Sequence, residues 1–356
     1  MMNNPKEKLN RLLKHTFNLK ASDLHISVGH HPTVRVEGKL QKIRSEDKIG
    51  EEEAEQLAYA LTTEKQKQTL LNEKEVDFSY QQEGGSRYRV NVFYQRGKVS
   101  SSLRRIPDRI KTLDELNLPN TLYDFSRANQ GLVLVTGPTS HGKSTTLASL
   151  IDKIDKNQFK HIITIEDPIE YVFEDDKALI EQREVGEDTK SFAKALKSSF
   201  RQDPDVIMVG EMRDPETIET AITAAETGHL VFSTLHTNSA SQTIHRIVDS
   251  FPSDQQNQIR AQLSSSLLGI VSQRLVPRIS GGLVPACEIL KNNPAVANLI
   301  RENKIHEIDI TVETSSKDGM VSLNKYLSNL VKSGEIALEE AATYSPRPKS
   351  LKKLID

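Results

Sequence analysis

The chain has 356 residues, too long for one ordinary core and long enough for two domains. Charged residues make up 27% of it, but the formal net charge is −2, so no basic excess marks a general nucleic-acid binder. The single cysteine, Cys287, excludes an intrachain disulfide and a multi-cysteine zinc site. No apolar run approaches ~20 residues, and the start, MMNNPKEKLNRLLK, lacks the apolar core of a secretory signal, so a cytoplasmic protein without a membrane span is expected.

Residues 7–17 read as a short amphipathic helix. Residues 24–28 and 32–40 alternate apolar and polar, as half-buried strands do, with a turn near Gly38. Residues 51–61 are helical, and 77–80, 88–94 and 99–103 read as three further strands joined by turns at 83–86 and 96–98. This first part is an α+β unit with an antiparallel sheet. The stretch 106–111 carries Pro107 among polar neighbours and reads as a linker, so domains are expected over 1–107 and 108–356. Helical pieces over 114–118 and 122–128 follow.

From residue 131 the rhythm changes. Short apolar runs at 132–135, 162–165, 206–209 and 230–234 alternate with helical stretches, the pattern of a parallel sheet covered on both faces. Over 258–275, Ile259, Leu263, Leu267, Val271 and Leu275 recur every fourth residue, which predicts one long amphipathic helix. After Pro294 the chain is mostly helical, and its basic tail, 346–353, reads as solvated and mobile.

The run at 132–135 leads into Gly137-Pro138-Thr139-Ser140-His141-Gly142-Lys143-Ser144-Thr145, which fits G-x-x-x-x-G-K-[ST], and a helical stretch follows over 145–154. A strand, a glycine loop and a helix in that order form a phosphate-binding loop. The glycines let backbone N–H groups point inward, and the helix N-terminus adds partial positive charge. Lys143 would reach the β/γ-phosphates of ATP, and the Ser144 hydroxyl would hold Mg²⁺.

Two further runs end in carboxylates. Glu211 follows the run at 206–209, expected beside the loop's own strand, where it can join the Mg²⁺ shell or orient the attacking water. Glu166 and Asp167 follow 162–165; neighbours in an extended strand point opposite ways, so one is expected to address the water, Glu166 first and Asp167 second. His229 and His236 bracket the run at 230–234. They are seven apart, so a regular strand sends them to opposite faces and a two-histidine metal site is disfavoured. His236 is the candidate to sense the γ-phosphate, and His229 is suited to a subunit contact or a buried hydrogen bond. Arg87, Arg89, Arg96, Arg104 and Arg105 are either solvated sheet positions or, in an oligomer, arginine fingers for a neighbour's phosphates.

Taken together, these residues resemble the secretion ATPase superfamily of type IV pili and type II secretion, and within it the PilT-like pilus-retraction ATPases. The resemblance rests on Ala21-Ser-Asp-Leu-His25, Arg89-Val-Asn-Val-Phe-Tyr-Gln-Arg96, the phosphate loop, and Ile165-Glu-Asp-Pro-Ile-Glu170, which is similar to that family's Asp box. It also rests on Asp203 to Asp214, similar to its Walker B segment, and on Thr223 to His229 with His236-Thr237, similar to its His box. It implies a PAS-like N-terminal domain, a RecA-like P-loop ATPase domain and a homohexamer with ATP between the two domains. It also implies that Arg96 and Arg104 complete the site. The implied motor works at the inner face of the cytoplasmic membrane on an inner-membrane pilus platform protein, peripheral to the bilayer and without nucleic acid.

Two departures are visible. Ser140-His141 stands where the family usually has Gly-Ser, and Ala295-Val-Ala-Asn-Leu-Ile-Arg-Glu302 has Ala297 where the retraction enzymes' AIRNLIRE-like segment has arginine. That segment is expected as an exposed helical patch in which Leu299 and Ile300 meet a membrane-anchored pilus protein. The alternatives are an accessory retraction paralogue, a pilus-assembly or type II secretion ATPase, or a nucleotide-dependent scaffold without turnover. The assembly enzymes usually carry a longer N-terminus and a four-cysteine zinc motif, so one cysteine and a short N-terminus are expected to argue against both.

Overall fold

A computed structural model describes residues 4–36, 38–107 and 109–355. Its contacts divide the chain into two compact units, with the division between Arg109 and Ile110.

The N-terminal unit opens with helix α1 (Pro5–Asn18), started by Pro5 and capped by Asn4, whose side chain accepts the Lys6 N–H. Leu9, Leu12 and Leu13 form its buried stripe. Strands β1 (Asp23–Ser27), β2 (Thr33–Val36) and β3 (Lys39–Lys42) precede helices α2 (Glu51–Leu61) and α3 (Glu64–Glu73). Helix α3 was not legible in its polar sequence; its signal is a capping box in which Thr63 and Gln66 satisfy each other's backbone N–H groups. Strands β4 (Glu75–Gln81), β5 (Arg87–Gln95) and β6 (Lys98–Arg105) complete an antiparallel sheet of order β3-β2-β1-β6-β5-β4. Its core includes Leu24, Ile26, Leu57, Tyr88, Val90 and Leu103.

The C-terminal unit begins with α4 (Thr121–Ser126), after a turn where a helix over 114–118 was expected. Strand β7 (Gly131–Thr136), α5 (Lys143–Asp155), β8 (His161–Glu166), β9 (Leu179–Glu184), α6 (Phe192–Ser199), β10 (Val206–Val209), α7 (Pro215–Glu226), β11 (Leu230–Leu235) and α8 (Ala240–Asp249) alternate as the apolar runs predict. Strand β7 is buried on both faces, with Leu132 and Leu134 in one core and Val133 and Val135 in the other.

The predicted helix over 258–275 is corrected. Helix α9 (Gln256–Ser266) stops, and strand β12 (Leu267–Pro277) begins. A spacing of four is even, so it places residues on one face of a strand as well as on one stripe of a helix. Gly269 tips the balance: a Cβ there would lie 2.4 Å from the Phe125 ring and 2.6 Å from Leu290 O, so the backbone approaches its neighbours more closely than a side chain allows. Strand β12 pairs parallel with β7 and antiparallel with β13 (Leu283–Lys291). The sheet order is β13-β12-β7-β11-β10-β8-β9, and β13 is its one antiparallel member.

Helices α10 (Pro294–Arg301), α11 (Ile308–Thr314), α12 (Leu323–Lys332), α13 (Leu338–Tyr344) and α14 (Pro348–Ile355) follow. The expectation of a mobile tail is corrected: α14 buries Leu351 against Leu327 and Val276, and Ser328 Oγ donates to Leu354 O at 2.9 Å. Its lysines lie on the outer side of an amphipathic turn, so the charge that suggested solvation covers only one face. Helix α10 forms as expected, but Ile300 is fully buried in the core and Leu299 packs partly against it, so Ile300 does not belong to an exposed patch. Ala295, Asn298 and Arg301 face outward instead. No helix of the described residues is long and apolar enough to cross a membrane.

Candidate nucleotide site

Strand β7 delivers the chain into the phosphate loop, and β12 lies directly beneath it. Gly137 has φ 147°, and a Cβ on it would stand 2.3 Å from Gln273 O. Gly142, at φ 80°, caps α5 in the left-handed conformation. Ser140 also adopts a left-handed backbone, φ 64°, at a cost on the order of 1 kcal/mol for a residue with a Cβ. The Lys143 Nζ folds back across the loop and donates to Gly137 O and Pro138 O, both at 2.9 Å. Burial lowers its pKa, while the charges of Glu211 and Glu170 oppose that shift. Thr139, Ser140 and Ser144 are exposed. Thr145 Oγ1 lies 2.9 Å from the hydroxyl of Tyr171.

Glu166 ends β8 and is 7% exposed. Its Oε1 accepts from Thr164 Oγ1 at 2.7 Å and from Gln182 Nε2 at 3.1 Å. Burial pushes its carboxyl up to about 7, against those hydrogen bonds. Asp167, next to it, is exposed. Burial therefore gives Glu166 a proton affinity near neutrality.

Glu211 lies beyond β10 between Arg213 and His236, with Arg213 Nη2 2.7 Å from Oε1 and His236 Nε2 3.5 Å from Oε2. The strand order corrects one expectation: β11 stands between β7 and β10, so Glu211 is not on a strand adjoining the loop's own. The neighbours of β7 are β12 and β11, and the carboxyl end of β11 carries His236, a half-exposed side chain. His229, at the other end, donates from Nδ1 to Ala224 O at 3.0 Å and holds the end of α7. Among the described residues no group of three His, Cys, Asp or Glu side chains forms a metal cage.

Arg96 and Arg104 belong to the N-terminal unit. Arg96 sits in the β5–β6 turn at φ 49°. Arg104, on β6, donates from Nε to Asp23 Oδ1 at 2.9 Å. Burial would raise the Asp23 pKa, but hydrogen bonds from Ser22 and Arg104 outweigh it and leave the carboxyl below its ordinary value.

Sequence reasoning missed Gln273, Tyr171, Gln182 and Arg213. Gln182 and Tyr171 had no signal, being single residues on an unassigned strand and loop. Arg213 stood inside the quoted segment from Asp203 to Asp214 without a role.

The type II/IV secretion system protein family matches residues 3–308. The chain belongs to that family. It is 44% identical over 330 residues to the type IV pilus retraction ATPase PilT of Pseudomonas aeruginosa, covering 93% of this chain and 96% of that protein. It is 39% identical over 346 residues to the type IV pilus ATPase PilU of the same organism, covering 97% and 90%. A crystal structure of the pilus retraction motor PilT with bound ADP superposes with a TM-score of 0.91 at 50% identity, covering 97% of this chain and 98% of that one. The Klebsiella pneumoniae type II secretion system protein E shares 46% identity, but over only 49% of this chain and 32% of its own length. The family member described here is thus an α/β protein of the RecA-like P-loop class with a smaller α+β unit before it, as its sequence implies, and it is a nucleotide-binding ATPase.

Proposed function

We propose that this chain is the ATP-hydrolysing subunit of a motor that retracts type IV pili. The observation that carries this is the near full-length likeness to a retraction ATPase, together with Lys143, Glu166 and Glu211 all present in one unit. The loop from Gly137 to Thr145 binds the phosphates, through backbone N–H groups after Pro138 and at the start of α5, and Lys143 exchanges its loop carbonyls for β/γ-phosphate oxygens. Glu166 takes the proton of the attacking water or orients it. His236, close to Glu211, reports on the γ-phosphate.

The oxygen donors fit magnesium, which draws few ligands from protein and the rest from phosphate and water. Ser144, exposed at the head of α5, and Glu211, an oxygen-rich side chain with charge reaching Lys143, are its protein ligands in this reading. When bound, the ion neutralises phosphate charge as it develops.

We assign a PAS-like domain to 1–107 and the RecA-like domain to 108–356, although Asp108 in the linker lies outside the described residues. The active form is a homohexamer in which Arg96 and Arg104 address ATP across or between domains. The ring works at the inner face of the cytoplasmic membrane against a platform protein, with no nucleic acid involved. ATPase activity is therefore expected to rise with protein concentration as rings assemble. Mixing Arg104→Ala subunits with Lys143→Ala subunits is expected to recover part of the activity that each lacks alone. Full turnover by a monomer would refute the ring.

Complementation tests the direction of work. The gene is expected to restore twitching to a retraction-deficient strain, weakly if Ala297 limits coupling, and Ala297→Arg is expected to strengthen retraction without changing hydrolysis. Restored pilus assembly in a strain lacking its extension motor would reject retraction and leave the ATPase. An accessory paralogue is the second reading, favoured by Ala297. It predicts rescue only when a second retraction motor is present.

A further inference from the structure

The phosphate loop is fastened to β12 at two points, and the helix that follows it at a third. Gln273 is 2% exposed; its Oε1 accepts from Thr146 Oγ1 at 2.7 Å, and its Nε2 donates to His141 O at 2.8 Å. The next outward-reaching bond runs from the Leu275 backbone N–H to His141 Nδ1, at 2.8 Å. The glycines close the fit, since a Cβ on Gly142 would stand 2.9 Å from Gln273 Nε2. One strand therefore grips the loop's carbonyl, its histidine ring and the first turn of the helix that follows.

A backbone N–H can only donate. His141 Nδ1 must then be the acceptor, and the ring proton sits on Nε2. Protonating Nδ1 would set N–H against N–H and break the bond.

We propose that His141 and Gln273 are positioning residues that fasten the phosphate loop to β12, and that the His141 bond, made only by the neutral ring, makes nucleotide affinity fall on acidification. The proposal rests on the P-loop reading above and deepens it. Neither residue needs to touch the phosphates: they act through the loop's backbone, whose N–H groups must converge. The charged groups facing the ring are Lys143, on the loop itself, and Arg274, on β12. Burial first, then these two cations, favours its neutral form, so the bond is intact at neutral pH. The sign follows. Nucleotide affinity is at its plateau above the ordinary histidine range, and it declines as pH falls through the ring's lowered value.

Direct titration with a fluorescent ADP between pH 5.5 and 8 tests this on the full chain. His141→Ala loses the bond at every pH, and Gln273→Leu loses two; each is expected to weaken ADP binding about tenfold at pH 8. His141→Asn offers an acceptor near the Nδ1 position that cannot titrate. It is expected to recover part of what alanine loses and to show no acid limb beyond that of the nucleotide's own phosphate. The ratio of wild-type to His141→Asn dissociation constants cancels the phosphate titration and should rise several-fold toward pH 5.5. Circular dichroism at each pH separates loss of binding from loss of fold. A ratio that stays constant overturns the inference, and so does a wild type that binds tighter in acid, which would mean that the imidazolium meets the phosphates directly. If the wild type binds no ADP at pH 8, the P-loop reading itself fails.

Discussion

Lys143→Ala is expected to lower ATP turnover by about 10²–10³-fold, the scale of removing one fixed donor from developing charge, while the fold survives. Two effects run in the same direction. The substitution removes the cation that would meet the β/γ-phosphates through charge-assisted hydrogen bonds. It also removes the two bonds from Nζ to Gly137 O and Pro138 O, so the loop loses an internal tie. Stability should change little, because Nζ bonds only to loop carbonyls and no apolar packing is lost beyond the aliphatic stem. The checks are steady-state hydrolysis, nucleotide titration and a thermal melt on one preparation. Near wild-type hydrolysis in a folded Lys143→Ala protein would remove the phosphate loop from the mechanism.

Much of this site was legible because its parts are local. The strand ending in Gly137, the loop and the start of α5 are contiguous, and two carboxylates follow apolar runs, so periodicity and spacing were enough. What stayed hidden is non-local. The stripe at Ile259, Leu263, Leu267, Val271 and Leu275 fits a helix and a strand equally, and reading it as a helix removed β12 from the sheet. Gln273 then had no route to the loop, and the hold on His141 could not be foreseen. The order of β7, β11 and β10 was hidden for the same reason: local pattern gives strands but not their neighbours, which are set by crossovers and packing. Burial of the tail was masked by its lysines, which cover one face of α14 while Leu351 covers the other.

Glu166→Gln is expected to leave nucleotide binding in place and to cut turnover by about 10²–10⁴-fold, the usual reach of general acid–base catalysis. The change is nearly isosteric, and the amide oxygen can keep the bonds from Thr164 and Gln182, since both fall on one oxygen in the wild type. A base works only when ionised. With the carboxyl raised to about 7, wild-type kcat/KM should climb as pH rises through about 7, and that limb should vanish in the variant. Folding supplies an independent check with its own sign. A carboxyl whose folded pKa lies above its unfolded value contributes stability that is fully present below about 4.5 and is lost as pH rises through about 7. Glutamine removes that loss, so the variant should gain stability relative to wild type across the same interval, on the order of 3 kcal/mol at most. A buried carboxyl with no catalytic role would show the stability change and no loss of rate. Glu211→Ala should behave differently. It leaves Arg213 and His236 without their carboxylate and raises the magnesium concentration needed for half-maximal hydrolysis, whereas Glu166→Gln leaves that concentration alone. Mild and equal rate losses from the two substitutions, with an unchanged magnesium requirement in both, would show that neither glutamate has the role assigned to it.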